Sequence, residues 1–443
     1  MSKVKHICEY GTIWNAKDFY PDIPGDSVNC IYVENDSFEN LKDFVAENND
    51  PSKQIEEAFS YQRRKGIDFI RVKNYVGIIE TRHGTMIEIL PKIHTENDED
   101  EISKIKESRS ILLSMLCTLK DSPFKSMDKA HLNSARMPIL EIFISIFLKE
   151  LENLVKRGIK HFYRQNEQNQ LFLKGRLLFD QQLKQNMIRP DRFFVQYDEF
   201  NIDIPQNRIL KTALSYLGTK SKSTKNLSQI HSLLELFDEV DTCQNLKGDF
   251  AKINGQNRLF NYYNEALTWA KLFLEEKSFT SYKGNYLNTA ILFPMEILFE
   301  SYVASRIKYQ YPDYSISTQH RKHFLLTDLK LKEKKFRIRP DIVIENAAML
   351  IIADTKWKVI DQNQSSKNYL ISQPDMYQLY AYGKKYQSNN LVLISPECET
   401  FTDELLFSYD EEMTLRCVPW SFKRENQVFN IQLELPLQIE RTT

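Results

Sequence analysis

Four things are scarce in this chain of 443 residues, and each scarcity excludes something. Glycine occurs only 12 times, and no Gly-x₄-Gly-Lys-Ser/Thr phosphate loop is present, so the chain is not expected to bind or hydrolyse a nucleotide by itself. The six cysteines (Cys8, Cys30, Cys117, Cys243, Cys398 and Cys417) lie far apart with no Cys-x-x-Cys pair. That speaks against a zinc site or a disulfide framework and for reduced core thiols. No apolar run approaches the roughly 20 residues that cross a bilayer, and the Met1-Ser-Lys-Val-Lys-His start is not followed by a signal-peptide segment. A cytoplasmic location with no membrane contact is expected. Net charge is scarce too: 59 Lys and Arg against 60 Asp and Glu leave −1, without the basic excess that usually marks a nucleic-acid binder. Contacts to phosphate would have to come from local patches.

What is present is a folding composition, 42% hydrophobic and 12% aromatic, over a length that suits two or three domains with real cores. The expected class is α+β and multidomain. Residues 1–105 hold short β runs, Ser27–Val33, Tyr75–Glu80 and, after a His83-Gly84 turn, Thr85–Leu90, and read as a β-rich arm. The acidic run Thr95–Glu101 reads as a loop with no catalytic task. Residues 106–275 are mainly helical in period, as in Ile139–Leu154, with an interruption at Leu171–Leu178 and a polar linker at Lys220–Lys225. Residues 276–443 read as an α/β core with a mixed sheet and a β tail, and no internal repeat is visible.

The chemistry concentrates in that last segment. Phe336–Ile344 and Met349–Lys358 are strand-like runs carrying Asp341, Asp354 and Lys356. Alternation puts Asp354 and Lys356 on one face of a buried strand, with Thr355 pointing away, and Asp341 can meet them from the neighbouring run. Two carboxylates and a lysine at a strand edge can hold Mg²⁺ through hard oxygens, activate a water and offset charge growing on a phosphate. The Thr355 carbonyl is a candidate extra ligand, and Lys358, on the same face, is a candidate for either phosphate contact or a structural pair. The pattern alone is weak, because Pro-Asp pairs also end at Asp22, Asp191, Asp313 and Asp375. Asp313 even has a follower, Asp328-Leu-Lys330, but Asp328–Lys335 is a charged run suited to a solvated hairpin, whereas Leu350–Ala353 is a buried-strand signature.

Downstream, Ser372–Tyr386 reads as a helix with Pro374 in its first turn, and Gln378 and Tyr382, four apart, share a face. Leu391–Ser395 would be the next strand. Basic candidates for phosphate contact are Arg63–Lys65 with Arg71 and Lys73, Lys156–Arg164, and His320–His323 with Lys332–Arg339. Each also has the composition of an ordinary solvated face. The last stands nearest the proposed site.

Asp341, Asp354-Thr-Lys356 and the following Gln378-x-x-x-Tyr382 together resemble the PD-(D/E)xK nuclease superfamily in its RecB-like form. An ordered set reaches further: Val76-Gly-Ile-Ile with Ile89-Leu-Pro-Lys92, Leu173-Lys-Gly-Arg176, Tyr197-Asp-Glu199, Asn207-Arg-Ile-Leu210 and Met295–Val303 precede that core in the order seen in McrC-like nuclease subunits of McrBC-type restriction systems. The resemblance implies a Mg²⁺-dependent endonuclease, with Mn²⁺ as a substitute metal, that cuts double-stranded DNA. It implies as partner a McrB-like AAA+ GTPase hexamer, stimulated through the N-terminal part of the chain. It also implies that an acid on the helix Pro294–Ile307 completes the metal shell, and Glu296 and Glu300 both remain candidates. Two rival readings are a catalytically silent adaptor for the GTPase and a stand-alone repair or junction nuclease.

Overall fold

A computed structural model of the chain describes residues 4–18, 25–48, 58–92, 101–120, 123–126, 137–253, 258–274, 287–347 and 349–422. The acidic run at 95–100 and the tail from residue 423 lie outside the described residues. The chain forms two compact units, Met1–Ala135 with Phe279–Thr443, and Arg136–Ser278. This differs from three consecutive segments, because the β-rich beginning and the α/β end fold together. The reason is a strand pairing across some 200 residues of sequence, which periodicity cannot show. Leu287–Pro294 lies antiparallel to Tyr75–Thr81 at the edge of a four-stranded sheet completed by Met86–Leu90 and Lys5–Cys8. Gly77, opposite Leu292, has φ 137°, and a Cβ there would come 2.0 Å from the Ile291 carbonyl, so the close approach requires glycine. Pro294 then caps the helix Met295–Gln310, making the sheet and the helix one continuous element.

A second four-stranded sheet in this unit orders Cys30–Val33, Thr12–Asn15, Ile67–Val72 and Phe59–Arg64. The third is mixed and six-stranded: Ser315–Thr318, Ile342–Glu345, Leu350–Thr355, Asn390–Pro396, Thr414–Trp420, Leu405–Ser408. Its middle strands, Leu350–Thr355, Asn390–Pro396 and Thr414–Trp420, run parallel, and the rest pair antiparallel. Burial on both faces accounts for their nearly unbroken apolar character. The helix Gln373–Tyr386, with Pro374 in its first turn, lays Leu379, Tyr382 and Tyr386 on Val343, Ile352, Leu391 and Leu393. The charged run is the expected solvated hairpin, Phe324–Asp328 against Glu333–Arg337.

In the other unit, helices Ile139–Arg157, Pro205–Lys220, Thr224–Glu235 and Asn264–Leu274 pack around a buried apolar centre, and Phe193–Asn201 pairs with Phe162–Gln170 and Arg176–Leu177. Lys220–Lys225 is not a linker. It is a tight turn between two helices, closed by Ser223 as N-cap and by hydrogen bonds to the buried Glu141. Several motif residues of this unit are scaffold: Gly175 (φ 76°) has no room for a Cβ beside Gln196, and Asn207 donates to the Lys160 and Ile202 carbonyls. Among the described residues no helix is long and apolar enough to cross a membrane, and all six cysteines are free, Cys117 and Cys243 only partly buried.

Candidate active site

The antiparallel register that pairs Ile342 with Ala353 brings Asp341 and Asp354, one step further along, to the same strand edge. Asp341 Oδ2 accepts hydrogen bonds from the Thr355 N–H (2.8 Å) and hydroxyl (2.9 Å). Thr355 therefore serves first as a brace for Asp341. Asp354 is 1% exposed, on the face of the strand that Ile352 shares with the helix Gln373–Tyr386. Its Oδ2 lies 2.5 Å from Lys356 Nζ, while its Oδ1 is buried with no hydrogen-bond partner. Burial, joined by the charge of Asp341, pushes the Asp354 carboxyl up to about 7 against the pull of Lys356. Burial pulls the Lys356 ammonium down, but Asp354 more than offsets it and the net shift is upward. Lys356 is thus held as a cation, suited to offsetting phosphate charge rather than to taking a proton.

Gln378 and Tyr382 reach this cluster from the helix. Gln378 Oε1 lies 3.5 Å from Lys356 Nζ, Gln378 Nε2 donates to the Tyr382 hydroxyl at 2.5 Å, and that hydroxyl donates to the Arg339 carbonyl at 3.1 Å. The i, i+4 pair therefore links the lysine to the segment that delivers Asp341.

The two helix glutamates separate. Glu300 is half-buried, and its carboxyl is pushed up to about 7 by burial and then by Asp341. Glu296 is exposed and accepts from Asn74 Nδ2 at 2.8 Å. Of the two, Glu300 is the one the fold places beside Asp341, because helical spacing gives both a similar direction but only one turn of the helix faces the strand edge. Lys358 forms an ion pair with Asp375 at 2.9 Å, a link between the strand end and the first helical turn. His320 Nδ1 hydrogen-bonds with the Tyr386 hydroxyl at 2.8 Å and His323 packs against the same ring at a tilt, so this part of the basic patch is packed.

Three participants escape sequence reasoning. Gln319, in a left-handed conformation (φ 55°), donates its N–H to the Asp341 carbonyl (2.9 Å) and its side-chain amide to Glu300. Such backbone strain clusters at functional sites. Trp357 donates to the buried Glu9 Oε1 at 2.6 Å and sets its ring edge-on to Phe299 of the Glu300 helix. Glu9, which also accepts from the Lys92 N–H, is pushed up to about 8 by burial. All of these contacts join residues far apart in the sequence, which leave no local pattern.

As the side chains stand, Asp341 is turned onto Thr355 and Asp354 onto Lys356. Among the described residues no three His, Cys, Asp or Glu side chains converge as a ready cage for a metal. The chemistry of the donors nonetheless fits a hard divalent cation. Asp341, Asp354 and Glu300 offer carboxylate oxygens, burial and then the charge of Asp341 raise the carboxyls of Asp354 and Glu300, and Asp354 Oδ1 is an orphan acceptor.

Residues 70–396 match the family model of the McrBC 5-methylcytosine restriction system component. No curated protein matches the chain by sequence. Among solved structures, a half-complex from a tetradecameric assembly of Thermococcus gammatolerans McrB AAA+ hexamers with bound McrC is similar at TM-score 0.66 and 17% identity, covering 95% of both chains. The cryo-EM structure of the Thermococcus gammatolerans McrBC complex is similar at TM-score 0.50 and 19% identity, covering 70% of this chain and 88% of that one.

Proposed function

The chain belongs to the McrBC 5-methylcytosine restriction system component family, and from that premise we propose that it is the McrC-like subunit that cuts DNA, a Mg²⁺-dependent endonuclease with a PD-(D/E)xK core. The observation that carries the reading is the buried, unpartnered Oδ1 of Asp354 beside Asp341, Glu300 and Lys356. A catalytically silent adaptor has no use for desolvated acids around a lysine. Asp341, Asp354 and Glu300 would hold the cation, with the Thr355 carbonyl as a further donor. When bound, Mg²⁺ supplies Lewis acidity toward the phosphoryl oxygens and lowers the pKa of a water. Lys356 offsets the charge that grows on the phosphate, and does so without reorganisation because Asp354 and Gln378 already hold its ammonium. Gln378 and Tyr382 fix the edge past which the scissile strand runs. Gln319 orients Glu300.

The partner in this reading is a McrB-like AAA+ GTPase hexamer, the assembly in which the similar McrC was seen. The sequence expectation placed partner contact in residues 1–105. The Arg136–Ser278 unit also carries exposed apolar side chains: Leu171, Phe172, Leu173, Phe179, Met187 and Ile188 are all more than half exposed. Large apolar side chains left exposed in such number are what a protein partner covers, and we assign partner contact to this unit as well. The cytoplasm is the place where such a complex would meet DNA.

The test is cleavage of duplex DNA by the purified chain with its partner and GTP. Mg²⁺ or Mn²⁺ should support cutting, Ca²⁺ should permit binding with little turnover, and chelation should stop cutting. Cutting that persists under full chelation would rule out the metal mechanism. Normal stimulation of the GTPase with no cutting under any metal would establish the adaptor reading in its place.

A further inference from the structure

Beside Glu300, the helix Met295–Gln310 and the end of the strand Ser315–Thr318 enclose a cleft of about 370 Å³. Three cations from separate parts of the chain line it: Lys120 after the helix Glu101–Leu116, Lys308 on the Glu300 helix, and Arg339, two residues before Asp341. All three are exposed. Ser301 and Ser305 recur with Lys308 on one helix face, adding hydroxyl donors. Lys120 Nζ already donates to Thr318 Oγ1 on the opposite wall. The carboxylate of the cleft, Glu300, is engaged by Gln319, whose own Oε1 is buried without a hydrogen-bond partner. Among the described lining residues there is no aromatic ring.

This lining selects its ligand by chemistry. Cations and hydroxyls without a stacking surface suit a sugar-phosphate unit and offer nothing to a base. The volume is at the small end of ligand pockets, roughly 300–1,000 Å³, and so suits about one nucleotide unit. Arg339 ties the cleft to the reaction centre, since its carbonyl accepts from Tyr382 and its next neighbour but one is Asp341. We propose that this cleft is a phosphate subsite that holds the DNA backbone next to the cut, through Lys120, Lys308 and Arg339, without regard to sequence. The proposal rests on the nuclease reading and deepens it: this subunit grips any backbone, and choice of target falls to other surfaces of the complex.

The experiment uses the full chain with its partner, in Ca²⁺, on duplexes in which single phosphates are replaced by uncharged methylphosphonates. In the unaltered chain, neutralising one phosphate adjacent to the cut should weaken binding by about threefold to tenfold, the effect of one lost ionic contact. In Lys308→Gln or Lys120→Gln, both changes of exposed side chains, neutralising that same phosphate should cost clearly less than it does in the unaltered chain. The slope of log affinity against log salt should also fall by about 1. The loss should be equal on unrelated sequences. Finding no sensitive phosphate in the unaltered chain, or the same sensitivity in the variants, would overturn the subsite. Because the readout is binding, the nuclease reading fails separately, by absence of cutting in Mg²⁺.

Discussion

Glu141 and Asp354 are both buried carboxylates, 5% and 1% exposed, in different units of the molecule, and they are treated in opposite ways. Glu141 is saturated: it accepts from Ser221 Oγ (2.7 Å), Asn226 Nδ2 (2.8 Å) and the N–H groups of Lys222 (2.5 Å) and Ser223 (3.1 Å). Its negative charge closes a helix–helix turn and anchors a helix N-terminus. Asp354 has one cation at Oδ2 and nothing at Oδ1. A buried acceptor left short of donors costs about 1–3 kcal/mol, a cost that a bound cation at Oδ1 would relieve. Burial alone does not mark a functional acid. What sets Asp354 apart from Glu141 is the unfilled half of its hydrogen-bonding capacity.

Substitution should therefore separate the two acids in opposite directions. Asp354→Ala or Lys356→Ala is expected to lower single-turnover cleavage by about a thousandfold or more, the scale for removing a charge-stabilising group from a water-poor site, while partner GTP hydrolysis stays near normal. Asp354→Asn should melt no lower than the unaltered chain, since it removes a desolvated charge. Retained cutting by Asp354→Ala would end the site assignment, and a sharply lowered melting temperature for Asp354→Asn would end the comparison.

Next in size is Glu141→Ala. It strands several buried donors at once and should cost about 3 kcal/mol or more, read as a shift in the denaturant midpoint. Glu141→Gln should recover only part, because one amide oxygen cannot serve both sides of the turn. A Glu141→Ala chain as stable as the original would mean that the saturated carboxylate holds nothing together.

The third effect is a pH slope, to which Glu9 contributes along with the raised Asp354 and Glu300. The Glu9 carboxyl rises from an ordinary 4.5 to about 8 in the fold, so the folded chain binds this proton more tightly than the unfolded chain does. The stabilising contribution is full below about 4.5 and is lost as pH rises through about 8. Melting temperature should fall between pH 5 and 9, and Glu9→Gln should flatten that decline. Parallel curves for the two chains would show that Glu9 is not a source.

How much of this is written in the sequence follows from the range of each interaction. Asp354 and Lys356 are legible because strand alternation is a two-residue signal, and the pair Gln378 and Tyr382 because helical spacing is a four-residue one. The charged hairpin at Asp328–Lys335 is legible for the same reason, since composition alone says it faces water. Glu9, Trp357 and Gln319 are not legible: their partners, Trp357, Phe299 and Glu300, come from other elements, and for Glu9 from the far end of the chain. Nor is the partition of the chain, which hangs on Leu287–Pro294 finding Tyr75–Thr81. The apparent linker at Lys220–Lys225 misled because its polarity serves Glu141 rather than solvent.

The smallest expected effects are the ones that test whether position, rather than acidity, defines the site. Glu296 and Glu300 are one helical turn apart on the same helix, yet Glu296 is exposed and bonded to Asn74 while Glu300 is half-buried, held by Gln319 and raised by Asp341. Glu296→Gln should leave cleavage within about twofold and stability within about 0.5 kcal/mol, the usual range for an exposed substitution. Glu300→Gln should slow cleavage and leave folding intact, because an amide of the same shape can still meet Gln319 but cannot offer a charged oxygen. The Pro-Asp decoy belongs with Glu296: Asp313→Ala should cut normally, and Asp328→Ala, whose Oδ1 accepts from the Lys330 and Leu331 N–H groups, should at most loosen an exposed hairpin. If Glu296→Gln were to abolish cutting while Glu300→Gln did not, the acid of this helix that serves the metal would be the one bonded to Asn74, and the site would extend toward the N-terminal sheet instead of toward the cleft lined by Lys308 and Arg339.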